Sequence, residues 1–183
     1  MQLTLILGPM KSGKSYELIS HFAPLRYTDI PFALYQPMKN VRDQHIQSRN
    51  GALIEGRKIQ RLTEIRAEES QVIGIDEFHM FGDEDVYVIA DLLRAGKTVI
   101  VSSLDTDYRG WLFANVARLF AMGPKVVTFR RAVCEECKVP DAVYTQIFED
   151  DKPVLGGMPA SIPDDGRFSY VPMCRQCFTH PVS

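Results

Sequence analysis

The octapeptide GPMKSGKS, residues 8–15, spaces Gly8, Gly13, Lys14 and Ser15 as a phosphate-binding loop requires. An apolar run, LTLIL, leads into it and a helical pattern follows. A strand feeding a glycine-rich turn and then a helix aims successive backbone N–H groups at one point, where the helix N-terminus adds partial positive charge. On this reading Gly8, Pro9, Met10, Lys11, Ser12, Gly13, Lys14 and Ser15 cradle a nucleoside triphosphate such as ATP. Lys14 reaches its β- and γ-phosphates, and the Ser15 hydroxyl helps hold Mg²⁺. Lys11 is not a motif position and reads as a solvated loop charge. A chance match in a Gly/Ser-rich turn would not come with both flanking elements.

QVIGIDE, residues 71–77, supplies companion carboxylates. Asp76, at the carboxyl end of an apolar strand, is placed to order Mg²⁺ directly or through water. Glu77 has two open roles: positioning a hydrolytic water, or taking a proton from a substrate hydroxyl. A solvated acidic turn would explain one carboxylate, not a pair behind an apolar strand. Loop and carboxylates together indicate nucleoside triphosphate chemistry without separating an ATPase from a kinase.

All four cysteines fall into two pairs, Cys134-Glu-Glu-Cys137 and Cys174-Arg-Gln-Cys177. Two C-x-x-C turns suit tetrahedral S₄ coordination of Zn²⁺, and four thiolates leave no open position, so the site is structural. Disulfides are the competing reading, but the N-terminus carries no basic segment leading into an apolar one, so nothing suggests export. His180 is a spare ligand that four thiolates make unnecessary. The metal would close residues 138–173 into a loop able to serve as a lid.

The elements that must position these groups are legible. TLIL (4–7), PFALYQ (31–36), QVIGID (71–76), KTVIVSSL (97–104) and KVVTF (125–129) read as strands. SYELISHFAPLRY, interrupted near Pro24, DVYVIADLLRAG (85–96) and WLFANVARLFAMG (111–123) read as helices. Strands alternating with helices predict an α/β fold with a mainly parallel sheet, of the phosphate-loop NTPase kind. From Cys134 onward cysteines, prolines and short β-like pieces take over. The expected division is an ATP-binding domain over 1–130 and a zinc-binding lasso, or lid, over 131–183.

Composition bounds the function. The chain has 183 residues, 45% apolar and 24% charged, with a formal charge of −2. That balance, and the lack of a basic-aromatic stripe around the cysteines, count against nucleic acid as the main partner. No apolar stretch reaches membrane-spanning length, so no membrane partner is expected.

Taken together, these residues resemble the type II, zinc-containing thymidine kinase family. The resemblance runs through GPMKSGKS, SRNG (48–51), IGIDE (73–77), AGKTVIVSSLDTDYRG (95–110), AVCEEC (132–137), YT (144–145), VLGG (154–157) and Tyr170, four residues before CRQC. It implies ATP-dependent phosphorylation of the thymidine 5′-hydroxyl in cytoplasmic nucleotide salvage, with Glu77 as the base. Arg42 matches an arginine near the phosphates, and Arg109 lies in a D-Y-R-G segment near the same site. Tyr108 and Phe113 match aromatic positions around the nucleoside, and Met10 and Leu104 further walls. Within the lasso, Thr145, the segment Lys152, Pro153, Val154, Leu155 and Gly156, and Tyr170 match substrate-contact positions. The resemblance further implies a homotetramer and inhibition by thymidine triphosphate.

The sequence also departs from the family. DEFHMF (76–81) puts Met80 where a base-stacking ring is usual, and His79 where many relatives carry glutamine, bordering the nucleotide. NVR (40–42) lacks the usual opening aspartate, so Asn40 changes the charge around that site. WLF (111–113) replaces a charged or polar residue and proline before the phenylalanine, and ASIPDDGRFS (160–169) is longer than usual. Methionine packs a base more loosely than a ring does, so deoxyuridine and 5-substituted analogues join thymidine as candidate substrates.

Overall fold

Residues 1–40, 46–47, 51–162 and 166–181 are described in a computed structural model of the chain. The first half runs β1 (Gln2–Leu7), α1 (Lys14–Phe22), β2 (Phe32–Pro37), a short hairpin of β3 (Ile46–Gln47) and β4 (Leu53–Ile54), β5 (Arg57–Ile59) and β6 (Val72–Ile75). Then come α2 (Val86–Arg94), β7 (Thr98–Ser103), α3 (Ala114–Phe120) and β8 (Val126–Phe129). The last part holds β9 (Tyr144–Glu149), β10 (Lys152–Pro153) and β11 (Phe168–Met173).

Strands β5-β2-β6-β7-β1-β8 form one six-stranded sheet in that order, every pair parallel. Strands buried on both faces are apolar at successive positions, as TLIL and TVIV are. Their side chains alternate all the same. Leu3, Leu5 and Leu7 face a core shared with Val88, Ile89 and Leu92 of α2 and Val116 and Leu119 of α3. Ile6, Leu34 and Ile100 face the opposite core with Leu18, Ile19 and Phe22 of α1. Gly74 makes this second face possible: a Cβ there would come within 2.8 Å of the Phe22 ring. Burying that ring contributes about 1.5–3 kcal/mol.

Because the strands are parallel, their carboxyl ends share one edge, where ligands of open α/β sheets bind. Gly8 follows β1, Asp76 follows β6, Leu104 and Asp105 follow β7, and Arg130 follows β8. α1 stops at Phe22 because Pro24 supplies no N–H, and a 3₁₀ turn over Ala23–Tyr27 continues the chain. The helix expected from residue 111 begins only at Ala114. The Trp111 carbonyl accepts the Asp107 N–H at 2.8 Å and Leu112 bridges Thr106, so tertiary pairing takes these residues from the helix.

Beyond Arg130, β9 is the middle strand of an antiparallel three-stranded sheet, β10-β9-β11. Tyr170 lies opposite Ile147, and Pro172 opposite Thr145. Ile147, Val154, Ile162 and Phe168 pack on Tyr108, which comes from the loop after β7. Among the described residues no helix is long and apolar enough to cross a membrane.

Candidate active site

The phosphate loop is locked by its backbone. Gly8 has φ 145°, and a Cβ there would stand 2.4 Å from the Arg130 carbonyl oxygen. Gly13, at φ 83°, is left-handed and caps α1, which starts at Lys14. Lys14 is buried and its Nζ donates to the Pro9 carbonyl at 2.8 Å. Arg130 adds a second cation: its Nε donates to the Ser12 carbonyl at 3.3 Å and its Nη1 lies 3.4 Å from Glu17. Lys11 is not simply solvated, because it pairs with Glu135 between the first two cysteines.

Ser15 Oγ donates to Asp76 Oδ2 at 3.2 Å, bringing loop and β6 carboxylate together. Asp76 Oδ1 is buried and accepts no hydrogen bond. Burial pushes the Asp76 carboxyl up to about 7, Glu77 adds to the rise, and the Ser102 hydroxyl and Lys14 oppose it. Burial pulls the Lys14 ammonium below the ordinary lysine value, opposed by Glu77, Asp76 and Asp105. A triphosphate and a divalent cation suit this arrangement: the loop offers positive charge, and Asp76 Oδ1 is a buried carboxyl oxygen with no hydrogen bond, whose ionised form a bound cation would favour.

Glu77 has φ 50° and ψ 43°, a left-handed conformation rare for a side-chain-bearing residue. Held strain of this kind concentrates where a side chain must be aimed. Glu77 Oε2 is buried without a hydrogen bond, and His79 Nδ1 stands 3.5 Å from it. His79 itself is held by its backbone N–H donating to Ser103 Oγ at 3.0 Å and by the Phe113 ring, 5.0 Å away between centroids. Asn115 Nδ2 donates to the carbonyls of Phe78 and Phe81, at 3.3 and 2.9 Å, and fixes the turn that follows.

Met10, Glu77, His79, Met80, Leu104, Tyr108, Phe113, Thr145 and Tyr170 line one cleft. Apolar walls with a few polar groups converging on them are what small-molecule sites offer. Not every expected residue arrives there. Arg109 and the stretch Lys152–Gly156 are not among its lining residues, although Val154 packs behind it on Tyr108. The Arg109 guanidinium is engaged by Asp107, with Nε at 2.8 Å from Oδ2, and leans over the Tyr108 ring. Arg42 lies outside the described residues, as does most of SRNG. Asn40 is buried, with Nδ2 donating to Gln36 Oε1 at 3.4 Å.

Motif spacing marks only part of the site. Thr106, Asp107, Ile147, Ala160, Ser161 and Ile162 also line the cleft. Asp105 is the third carboxylate acting on Lys14; burial raises its pKa, its own and the Thr106 N–H and Lys14 oppose the rise, and its Oδ1 has no hydrogen bond. The signal for Asp105 is the one that found Asp76, an acid closing an apolar strand.

At the far end, one ligand atom from each of Cys134, Cys137, Cys174 and Cys177 lies within 4.8 Å of the others, and all four are free thiols. Cys137 Sγ and Cys174 Sγ are 3.7 Å apart. Zn–S bonds of about 2.3 Å in a tetrahedron need such spacing, so the four sulfurs fit zinc. Burial pushes the Cys134 thiol up, but N–H groups of Cys137, Cys174 and Glu136 outweigh it and bring it down to about 6, while hydrogen bonds with Cys174 and Cys137 push Cys177 up to about 12. His180 packs instead on the rings of Tyr144 and Phe178.

Comparison with known proteins follows the same lines. Over 144 residues the chain is 35% identical to a thymidine kinase of Ureaplasma urealyticum, covering 74% of this chain and 64% of that protein. It is thus matched to less than two thirds of that relative's length. Over 176 residues it is 32% identical to a thymidine kinase of Mycoplasmoides gallisepticum, covering 93% of this chain and 77% of that one. Among solved structures, the cytoplasmic domain of the type VII secretion ATPase EccC of Thermomonospora curvata aligns with a TM-score of 0.45 at 14% identity, covering 94% of this chain and 24% of that one, too slight a likeness to bear on function. The thymidine kinase family model matches residues 1–178, which include the phosphate loop, the Asp76–Glu77 pair and all four cysteines; the chain belongs to the thymidine kinase family.

Proposed function

We propose that the protein transfers the γ-phosphoryl group of ATP to the 5′-hydroxyl of thymidine, with deoxyuridine a second substrate of the same slot. The observation that carries this reading is a shared wall: Met10 of the phosphate loop and Glu77 line the same apolar cleft. An ATPase needs a water beside Glu77 but has no use for an apolar slot walled by Tyr108, Phe113 and Leu104 there.

On this reading the loop from Gly8 to Ser15 binds the triphosphate, and Ser15 and Asp76 hold Mg²⁺. When bound, the metal offsets charge on the phosphate oxygens. Lys14, with Arg42, neutralises the transferring group, since the Arg109 guanidinium is held by Asp107. Glu77 orients the 5′-hydroxyl in line and accepts its proton. Acceleration comes from positioning and from charge stabilisation in a site the lasso shields from water. Tyr108, Phe113, Leu104, Met80 and Met10 wall the base beside Thr145 and Tyr170, and Val154 supports that wall from behind on Tyr108. His79, beside Glu77, borders the nucleotide.

The cysteine cluster holds Zn²⁺ and staples the lasso, so residues 1–130 and 131–183 act as catalytic domain and lid. Free metal-binding thiols suit a reducing compartment, consistent with cytoplasmic nucleotide salvage. By family reasoning thymidine triphosphate occupies the nucleoside site and inhibits, and the working form is a homotetramer.

The test is ADP release from ATP and Mg²⁺ with and without thymidine, deoxyuridine and deoxycytidine. Thymidine-dependent release yielding the 5′-monophosphate is expected. Nucleoside-independent turnover would reassign Glu77 to water activation, and silence with every nucleoside would overturn the kinase reading.

A further inference from the structure

The cleft has a wall that the phosphate loop and the carboxylates do not account for. Ala160, Ser161 and Ile162 line it together with Met10, Leu104 and Glu77. This wall is fixed rather than draped. Ile162 is only 4% exposed and packs among Tyr108, Ile147, Val154 and Phe168. The Tyr170 hydroxyl donates to the Ile162 carbonyl at 3.1 Å, and the Tyr108 hydroxyl donates to the Met158 carbonyl at 3.0 Å. Both tyrosines line the cleft themselves, so the segment from Met158 to Ile162 is pinned by the rings it stands beside. Ala160 packs from this segment against the main core. A β-branched side chain is stiff about its first torsion and does not swing aside easily.

We propose that Ile162, backed by Ala160, is a specificity-determining residue that limits the size of the base the cleft admits, so that the site takes a pyrimidine nucleoside with a small 5-substituent. This rests on the nucleoside kinase reading above. A rigid apolar wall discriminates by steric exclusion, and one extra methylene in such a pocket changes selectivity by about 10–200-fold. Ile162→Ala removes three carbons from the wall, the carbon count of a propynyl group.

The experiment compares thymidine with 5-propynyl-2′-deoxyuridine in wild type, Ile162→Val and Ile162→Ala, by kcat/KM and by calorimetric titration. Wild type should prefer thymidine by at least about tenfold, and Ile162→Ala should cut that preference about tenfold, with Ile162→Val between. The change should lie in the KM of the bulky substrate, with its kcat preserved. A residue that only supports the lasso would weaken both nucleosides alike and leave their ratio unchanged in both variants, and that result overturns the proposal. Ile162→Val, which removes one carbon, keeps the test decisive if Ile162→Ala melts early. The titrations separate the two readings. A wild type that binds thymidine without phosphorylating it overturns the kinase reading while the binding ratio still decides the role of Ile162. A wild type that binds neither nucleoside overturns both.

Discussion

The backbone N–H of Met10 donates to Thr145 Oγ1 at 2.9 Å across 135 residues of sequence, fastening the phosphate loop to the middle strand of the antiparallel sheet. Thr145 is buried, so this hydrogen bond has no ready substitute in water. Thr145→Val keeps the shape and removes the acceptor, leaving a partly buried N–H unpaired at a cost of about 1–3 kcal/mol. Melting should fall by about 2–4 °C for each kcal/mol lost, while Thr145→Ser, which keeps the hydroxyl, stays near wild type. Equal melting temperatures for the valine and serine variants would show that the bond contributes nothing.

Glu77 is read as the base because it is aimed, strained and buried without a hydrogen bond on Oε2. Glu77→Gln preserves size and removes the proton acceptor. Turnover should drop about 10²–10⁴-fold with little change in the KM of either substrate. Near-normal kcat in this variant would remove Glu77 from the role.

Gly8 faces the Arg130 carbonyl too closely for any side chain. Gly8→Ala forces either β1 or the end of β8 to move, and its φ of 145° is itself unfavourable for alanine. A loss of the order of 2 kcal/mol or more in stability, together with weakened ATP binding, is expected from denaturant melts and nucleotide titration. An alanine variant as stable as wild type would mean that the loop relaxes without effort.

Glu68 supplies a pH-dependent contribution away from the active site. The Tyr35 hydroxyl donates to it, and Ser70 donates through both N–H and hydroxyl. The Tyr35 bond leads in lowering its carboxyl to about 2, burial opposes, and Ser70 and Arg57 add to the lowering. A depressed carboxyl pKa stabilises the fold once the unfolded chain is also ionised, above its ordinary 4.5, and that stabilisation disappears as pH falls through about 2. The stability gap between wild type and Glu68→Gln should therefore be full near pH 6 and narrow steadily between pH 4.5 and 2. A gap that does not change over this range would contradict the linkage.

The zinc proposed for the cysteine cluster gives the lasso its own test. β9 and β11 carry Thr145, Ile147 and Tyr170 into the cleft, whereas the Lys11–Glu135 pair reaches the phosphate loop from a half-exposed position and contributes little. Chelation, or Cys177→Ser, should weaken nucleoside binding more than ATP binding, with zinc content followed in parallel. Unchanged nucleoside affinity in metal-free protein would separate the cluster from the site.

Much of the molecule was fixed locally and so could be read without a structure. GPMKSGKS, the acids closing QVIGIDE and the paired C-x-x-C turns depend on neighbours a few residues apart, and backbone geometry places such groups whatever surrounds them. The alternation of apolar runs with helical spacing likewise announced a parallel sheet, and that sheet necessarily puts every β-to-α turn on one edge. Other features belong to contacts between distant segments. Trp111–Phe113 follow helical spacing yet serve a turn, because Asp107 and Thr106 claim their backbone. Lys11 has no local partner in the sequence, and only the fold brings Glu135, 124 residues on, beside it. Ile162 and Ala160 carry no chemical group to mark them, and only the packing of the lasso on Tyr108 makes them a wall. The sequence alone determined where the phosphate loop, the paired acids and the two cysteine turns lie, since their spacing is local; which apolar side chains shape the cleft was decided only by the tertiary structure, since packing is a property of surfaces that meet.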